Sequence, residues 1–475
     1  MRTLVLPSAS PESQLRQDTS DNCGMNESFV EYFKCPEHYA RFELTGPLSP
    51  SSGYFRFGEG DVGYGRLCGA GTGSNNPAMP EVAREATVES GTVGLPFDAK
   101  EIVDNMRFER YPSSSRNEQS ALNLLLATAY YYLRPLMPVS VRKHLQRLRL
   151  KGWDRISFPH WPVDRTVDDL FDLMMVLSLK SQKVERIPFV WFWPDGAPSS
   201  AIMTHDVETV EGRDLCSTLM DIDDAYGIKA CFEVIPEHRY EVPPAFLDSI
   251  TSRGFEIAVH DLNHDGRLYK NHEYFAERVA KINAYGHKWG TEGFRAAVLY
   301  RRQEWFQDLD FAYDMSVPNV AHLDPQRGGC CTVMPYFIGN LLEIPVTATQ
   351  DYTLFHILQD YKTDLWKTQI DLIMEKHGLL SFIAHPDYAT TARERKVYEA
   401  LLSHLAELRQ KRGVWIATSG AVNKWWRQRA GMRIVEDGPE PLIEGEGSER
   451  ARIAYASIVN GRLAVTVGSA ANRPV

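Results

Sequence analysis

The sequence predicts an α/β fold, a (β/α) barrel over residues 191–432, from three observations. From Pro188 onward, short apolar runs alternate with helix-length segments, the pattern of parallel strands joined by right-handed crossovers. About seven such units in roughly 230 residues suit a closed barrel better than an open sheet. Ionisable residues also recur at the ends of the apolar runs: Asp206 and Glu208, His260 and His264, Arg295, and His385. A barrel of this kind assembles its chemistry at the C-terminal ends of its strands.

Strands are expected over 201–203, 230–235, 256–259, 293–297, 342–346, 379–383 and 414–417. Helices are expected between them over 212–226, 244–252, 274–285, 304–309, 364–376 and 395–411, with a Trp-rich helix over 422–429 closing the unit. Residues 1–190 read as an accessory N-terminal region. It opens on a polar stretch over 1–30, continues through aromatic and glycine-rich segments and a loop over 69–76, and holds helices over 99–109, 118–133, 139–151 and 167–180. Residues 433–475 read as a linker followed by a β-hairpin: two alternating runs flank Asn460-Gly461, the dipeptide that a type I′ turn favours, and the hairpin should edge another sheet.

The 475 residues are 43% apolar with 21 Phe and 21 Tyr, ample for a real core. Lys plus Arg number 52 against 62 Asp plus Glu, a net charge of −10, which argues against a general nucleic-acid binder. The helix over 139–151 is the local exception. Its Arg142, Lys143, Arg147, Arg149 and Lys151 stand against an apolar stripe, so it suits either a solvated basic face or a membrane surface or anionic, lipid-linked substrate. Seven cysteines without paired spacing fit reduced thiols, and the vicinal Cys330-Cys331 reads as a tight loop near the cleft. No apolar run reaches the ~20 residues a bilayer requires, and the expected location is cytoplasmic.

The polar clusters have the composition of a metal site. His260 and His264 are four residues apart, a spacing that puts both imidazoles on one face if the backbone turns helical there. Two imidazoles and one carboxylate suit Zn²⁺ and leave coordination positions open. Asp206 and Glu208, two apart, face one centre if the strand stays extended, and two such carboxylates need different tasks. Arg295 is a permanent cation able to hold a carboxylate ionised. His385, ahead of Pro386, can protonate a leaving group.

Thr204-His-Asp-Val-Glu208, His260-Asp-Leu-Asn-His264, Gly293-Phe-Arg295, Phe311-Ala-Tyr-Asp-Met-Ser316 and Leu379-Leu-Ser-Phe-Ile-Ala-His385, in this order, resemble the polysaccharide deacetylase (NodB-homology, carbohydrate esterase family four) superfamily, in a divergent branch. The resemblance spans roughly residues 195–430. It implies a distorted (β/α)₇ barrel and metal-dependent removal of acetyl groups from N-acetylated sugars. It further implies that Asp206 is the base, Glu208, His260 and His264 the metal ligands, Arg295 the brace of the base and His385 the acid. The first motif is spaced Asp-x-Glu, so base and ligand can be exchanged. Asp261 follows the first metal histidine, and Asp351 and Asp314 compete as the acidic partner of His385. Two other readings are a hydrolase of small cyclic amides or ureides, and a glycan-binding protein without turnover.

Overall fold

The computed structural model describes residues 24–58, 60–69, 79–89, 91–112, 139–436, 438 and 440–468. The expected helix over 118–133 lies outside them, as do most of the 69–76 loop and most of the first 30 residues.

The chain divides into two compact units. One comprises residues 1–106, 169–191 and 429–475; the other comprises 107–168 and 192–428. Where the sequence reading sets the whole of 1–190 apart from the barrel, the structure groups 107–168 with it. The physical reason is hydrogen bonding across great sequence separation. The Arg301 guanidinium grips the Glu109 carboxylate, Asn319 binds both the amide and the carbonyl of Asp164, and Asp168 accepts from Thr332 Oγ1 and the Val333 amide.

In the first unit the C-terminal hairpin forms as read. Ile453–Val459 and Arg462–Val467 pair around Asn460 and Gly461, both at positive φ, and the hairpin edges strand Ile187–Val190. Arg429 is buried there and donates to the carbonyls of Tyr32, Val190 and Trp191. Burial presses its pKa down to about 9.

The second unit holds the barrel. Its strands are β1 (Ser200–Val207), β2 (Cys231–Val234), β3 (Glu256–His260), β4 (Gly293–Arg295), β5 (Tyr313–Asp314), β6 (Tyr336–Ile338), β7 (Leu341–Glu343), β8 (Leu379–Ile383) and β9 (Trp415–Ile416). They form one sheet in the order β6-β7-β5-β4-β3-β2-β1-β8, with β9 also on β1. Every pairing is parallel except β6 with β7. The expected strands all appear, some shorter or longer by a few residues. Sequence reasoning missed β5 and β6: β5 is two residues long, and β6 lies in a stretch without alternation.

Between β7 and β8 the barrel closes through a loop instead of a ladder. The Thr347 hydroxyl donates to Leu379 O and accepts from the Ser381 amide, and the Ala348 amide donates to Ser381 O. The sheet's outer face is apolar apart from His205. Ala201, Met203, Val207, Phe232, Leu380 and Phe382 pack there with Leu219, Ile370 and Leu401 from the crossover helices. Facing inward on alternate positions are Thr204, Asp206, Glu233, His260 and Arg295, so the period-2 geometry of strands sorts core from chemistry.

Candidate metal and catalytic site

Asp206 is the penultimate residue of β1, and Glu208 lies just past the strand's end. His260 closes β3, Arg295 closes β4, and His385 sits between β8 and the short helix Pro386–Ala389. Parallel register does the assembly: Arg295 lies opposite His260, and Asp206 opposite Glu233. Asp206, His260, His264, Arg295 and His385 are all buried, whereas the Glu208 side chain keeps 26% exposure and opens to solvent.

One oxygen gathers the imidazoles. Glu208 Oε1 lies 2.8 Å from His264 Nε2, 3.5 Å from His385 Nε2 and 4.0 Å from His260 Nε2. Donor atoms of Glu208, His260 and His264 all lie within 4.8 Å of one another, and those of Asp206, Glu208 and His385 do likewise. The Nε2 atom of His260 is buried without a hydrogen-bond partner among the described residues, and that of His264 meets only the Glu208 carboxylate, at 2.8 Å. Orphaned buried nitrogens are rare in native proteins and call for an explanation. A divalent cation supplies one, because His260 Nδ1 lies 3.1 Å from Arg295 O, which fixes the proton there and leaves Nε2 its lone pair.

The two histidines converge by a different route from the helical one expected. Residues 261–266 form an irregular loop in which Asp261 and His264 both take positive φ, at 55° each. The loop is locked from outside. Arg239 donates to the carbonyls of Asn263 and His264, at 3.3 and 2.7 Å, and Arg278 grips Asp265 through two bonds. Loop geometry therefore delivers what a helix turn would have delivered.

Arg295 is wholly buried. Its Nη1 donates to Asp206 Oδ1 at 2.6 Å and Thr204 Oγ1 at 2.8 Å, and its Nε to Met315 O. Burial penalises the Asp206 carboxylate, but Arg295, then His260 and His385, outweigh it and hold its pKa below the usual value. Glu208 falls well below its usual value because His264, His260 and His385 overcome its burial.

Asp351 is the partner of His385. Its Oδ1 lies 2.6 Å from His385 Nδ1, and its Oδ2 accepts the His385 amide at 2.7 Å. Burial opposes a charge on His385, but Asp351 and then Glu208 push its pKa well above 6.5. Asp314 instead faces Glu343 across β5 and β7 and binds Ser316.

Sequence reasoning missed Glu233. It lies 3.7 Å from Arg295 Nη1, and burial raises its pKa to about 7 although Arg295 opposes the rise. Its signal was a lone charge amid the apolar run Cys231-Phe-Glu-Val-Ile235. Cys330 and Cys331 are buried free thiols, and burial raises both pKa values, the environment of an unreactive cysteine.

No family model and no curated protein matches the sequence. Solved structures of similar fold include a protein from Mycobacterium smegmatis assigned to the polysaccharide deacetylases. It is 18% identical, covers 53% of this chain and 98% of its own, and has a TM-score of 0.42. The Puue allantoinase is 13% identical over 50% of this chain and 92% of its own, at a TM-score of 0.38. The peptidoglycan deacetylase PdaC from Bacillus subtilis is 13% identical over 49% and 93%, at a TM-score of 0.32.

Proposed function

We propose that this protein is a metal-dependent hydrolase that removes the N-acetyl group from a sugar unit of a polysaccharide or its precursor. The observation that carries the reading is the convergence of the buried Nε2 atoms of His260, which has no hydrogen-bond partner among the described residues, and His264 on a carboxylate from another strand end, with all three donor atoms within 4.8 Å of one another. That donor set of two nitrogens and one oxygen fits Zn²⁺. Glu208, His260 and His264 would hold the ion, which when bound polarises the acetamide carbonyl and lowers the pKa of water from about 16 towards ~7.

The chain's own residues supply the proton traffic. Asp206, kept ionised by Arg295, accepts the proton of the attacking water. Arg295 is itself fixed by Thr204 and Met315, so it orients the carboxylate as well as charging it. His385 carries a proton on Nε2, facing the cleft, while Asp351 secures Nδ1. It gives that proton to the departing amine as the C–N bond breaks, and the products are acetate and a free amino sugar.

The test is acetate release from N-acetylhexosamine oligomers, with and without chelator, for wild type and Asp206→Asn. The expected result is activity lost to chelator and restored by Zn²⁺. Chelator-insensitive turnover, or turnover confined to cyclic ureides, would replace this reading with the alternative hydrolase.

A further inference from the structure

We infer that the catalytic cleft continues into a second subsite that binds a phosphate joined to an apolar tail, so the sugar is presented on a lipid phosphate. The inference rests on the deacetylase reading for the sugar end alone. An open groove of about 440 Å³ runs beside helix Val139–Arg149 and the segment Thr353–Leu358. His144, Arg147 and Lys151 line it together with Leu148, Trp153 and Leu358, and Asp154 is the acidic residue among its lining. In a chain of net charge −10 this is a local cationic surface.

Two features select the ligand. Arg147 is exposed yet anchored, its Nε donating to His356 O at 3.1 Å, and a guanidinium fork suits phosphate. Leu148, 55% exposed on the same helix, sits among those cations. A solvated basic face needs no leucine there, and a free phosphate gains nothing from one; an amphiphile uses both.

A chain of ring contacts links the groove to the chemistry. The His385 ring lies 5.0 Å from that of Tyr388, and Tyr388 lies 4.8 Å from His356, whose carbonyl holds Arg147. Tyr352 packs 5.1 Å from His356, and its hydroxyl bonds Gln146 of the basic helix. These half-buried rings form an aromatic track from the proton donor to the cationic groove. A flat membrane surface would require no such track.

The experiment measures binding of farnesyl phosphate to the full chain by calorimetry. Wild type should bind it at least tenfold more tightly than farnesol or inorganic phosphate, and Arg147→Ala/Lys151→Ala should lose roughly tenfold of that affinity. Both substituted side chains are exposed, so the variant should fold. The kinetic arm compares a prenyl-diphosphate-linked N-acetylhexosamine with a neutral N-acetylhexosamine oligomer. The variant should raise KM for the first alone and leave kcat unchanged. Farnesyl phosphate binding no tighter than inorganic phosphate would overturn the site, as would an indifferent double variant. Association only with phosphatidylglycerol vesicles would do the same. If farnesyl phosphate binds as expected but neither sugar releases acetate, the phosphate site stands and the deacetylase reading falls.

Discussion

Two histidine–carboxylate clusters lie on opposite faces of β1, anchored one residue apart. On the outer face His205 is wholly buried and fully satisfied: Nδ1 lies 3.0 Å from Ala384 O, Nε2 lies 2.9 Å from Asp223 Oδ2, and Tyr398 donates to Asp223 Oδ1. On the inner face the equally buried His260 keeps an Nε2 with no partner among the described residues, and His264 Nε2 meets only the Glu208 carboxylate. Residue type and burial are the same, so they cannot distinguish structural from functional histidines. Hydrogen-bond accounting does: the satisfied cluster holds the barrel wall, and the unsatisfied one is built to receive something.

That distinction is broken most directly at the inner cluster. His260→Ala and His264→Ala should each abolish stoichiometric divalent-cation binding and lower acetate release at least ~10³-fold. Their thermal midpoints should move by only a few degrees, because His260 Nε2 has no partner to lose among the described residues and Glu208, the partner of His264, is open to solvent. Metal analysis and calorimetry on the same samples check both halves. A variant that unfolds while still holding metal would reverse the assignment of the two faces.

Asp206→Asn comes next, with an expected ~10²–10⁴-fold loss in kcat and retained metal. The pH profile sharpens the point. Asp206 stays ionised to below the usual carboxylate range because of Arg295, so activity should fall only on strong acidification. Asp351 holds the proton of His385 to higher pH than an ordinary imidazole keeps it, so the limb on which activity falls as His385 deprotonates should be displaced towards alkaline pH. Asp351→Asn should cost about 10–100-fold and move that alkaline limb downward. An alkaline limb that stays put would assign it to another group.

Much of this was legible in the sequence. A strand's period of two and a barrel's habit of placing chemistry at strand ends located Asp206, His260, Arg295 and His385 without coordinates. The histidine pair was found for a reason that does not hold: His264 arrives through a left-handed loop pinned by Arg239 and Arg278, which lie 25 and 14 residues away in the chain. The partner of His385 could not be chosen, because Asp351 reaches it across the β7–β8 closure, where no ladder sets a register. Glu233 was passed over because one charge in an apolar run carries no periodicity.

The smallest effect on turnover, and the largest on stability, belongs to His205. Replacing it with Ala strips Asp223 of its buried cationic partner, a change that costs about 3–5 kcal/mol. The folded variant should keep its metal and hydrolyse within a few-fold of wild type, since Asp206 is fixed separately by Arg295. Burial resists a charge on His205, yet Asp223 overcomes it and raises the folded pKa above 6.5. A raised folded pKa means the pair's contribution is complete below the unfolded value of ~6.5 and fades as pH rises through the folded one. Denaturant midpoints at acidic and alkaline pH should therefore converge between wild type and His205→Ala as pH increases. If the gap instead widens, or catalysis falls with stability, the outer cluster is coupled to the chemistry and the two faces of β1 are one device.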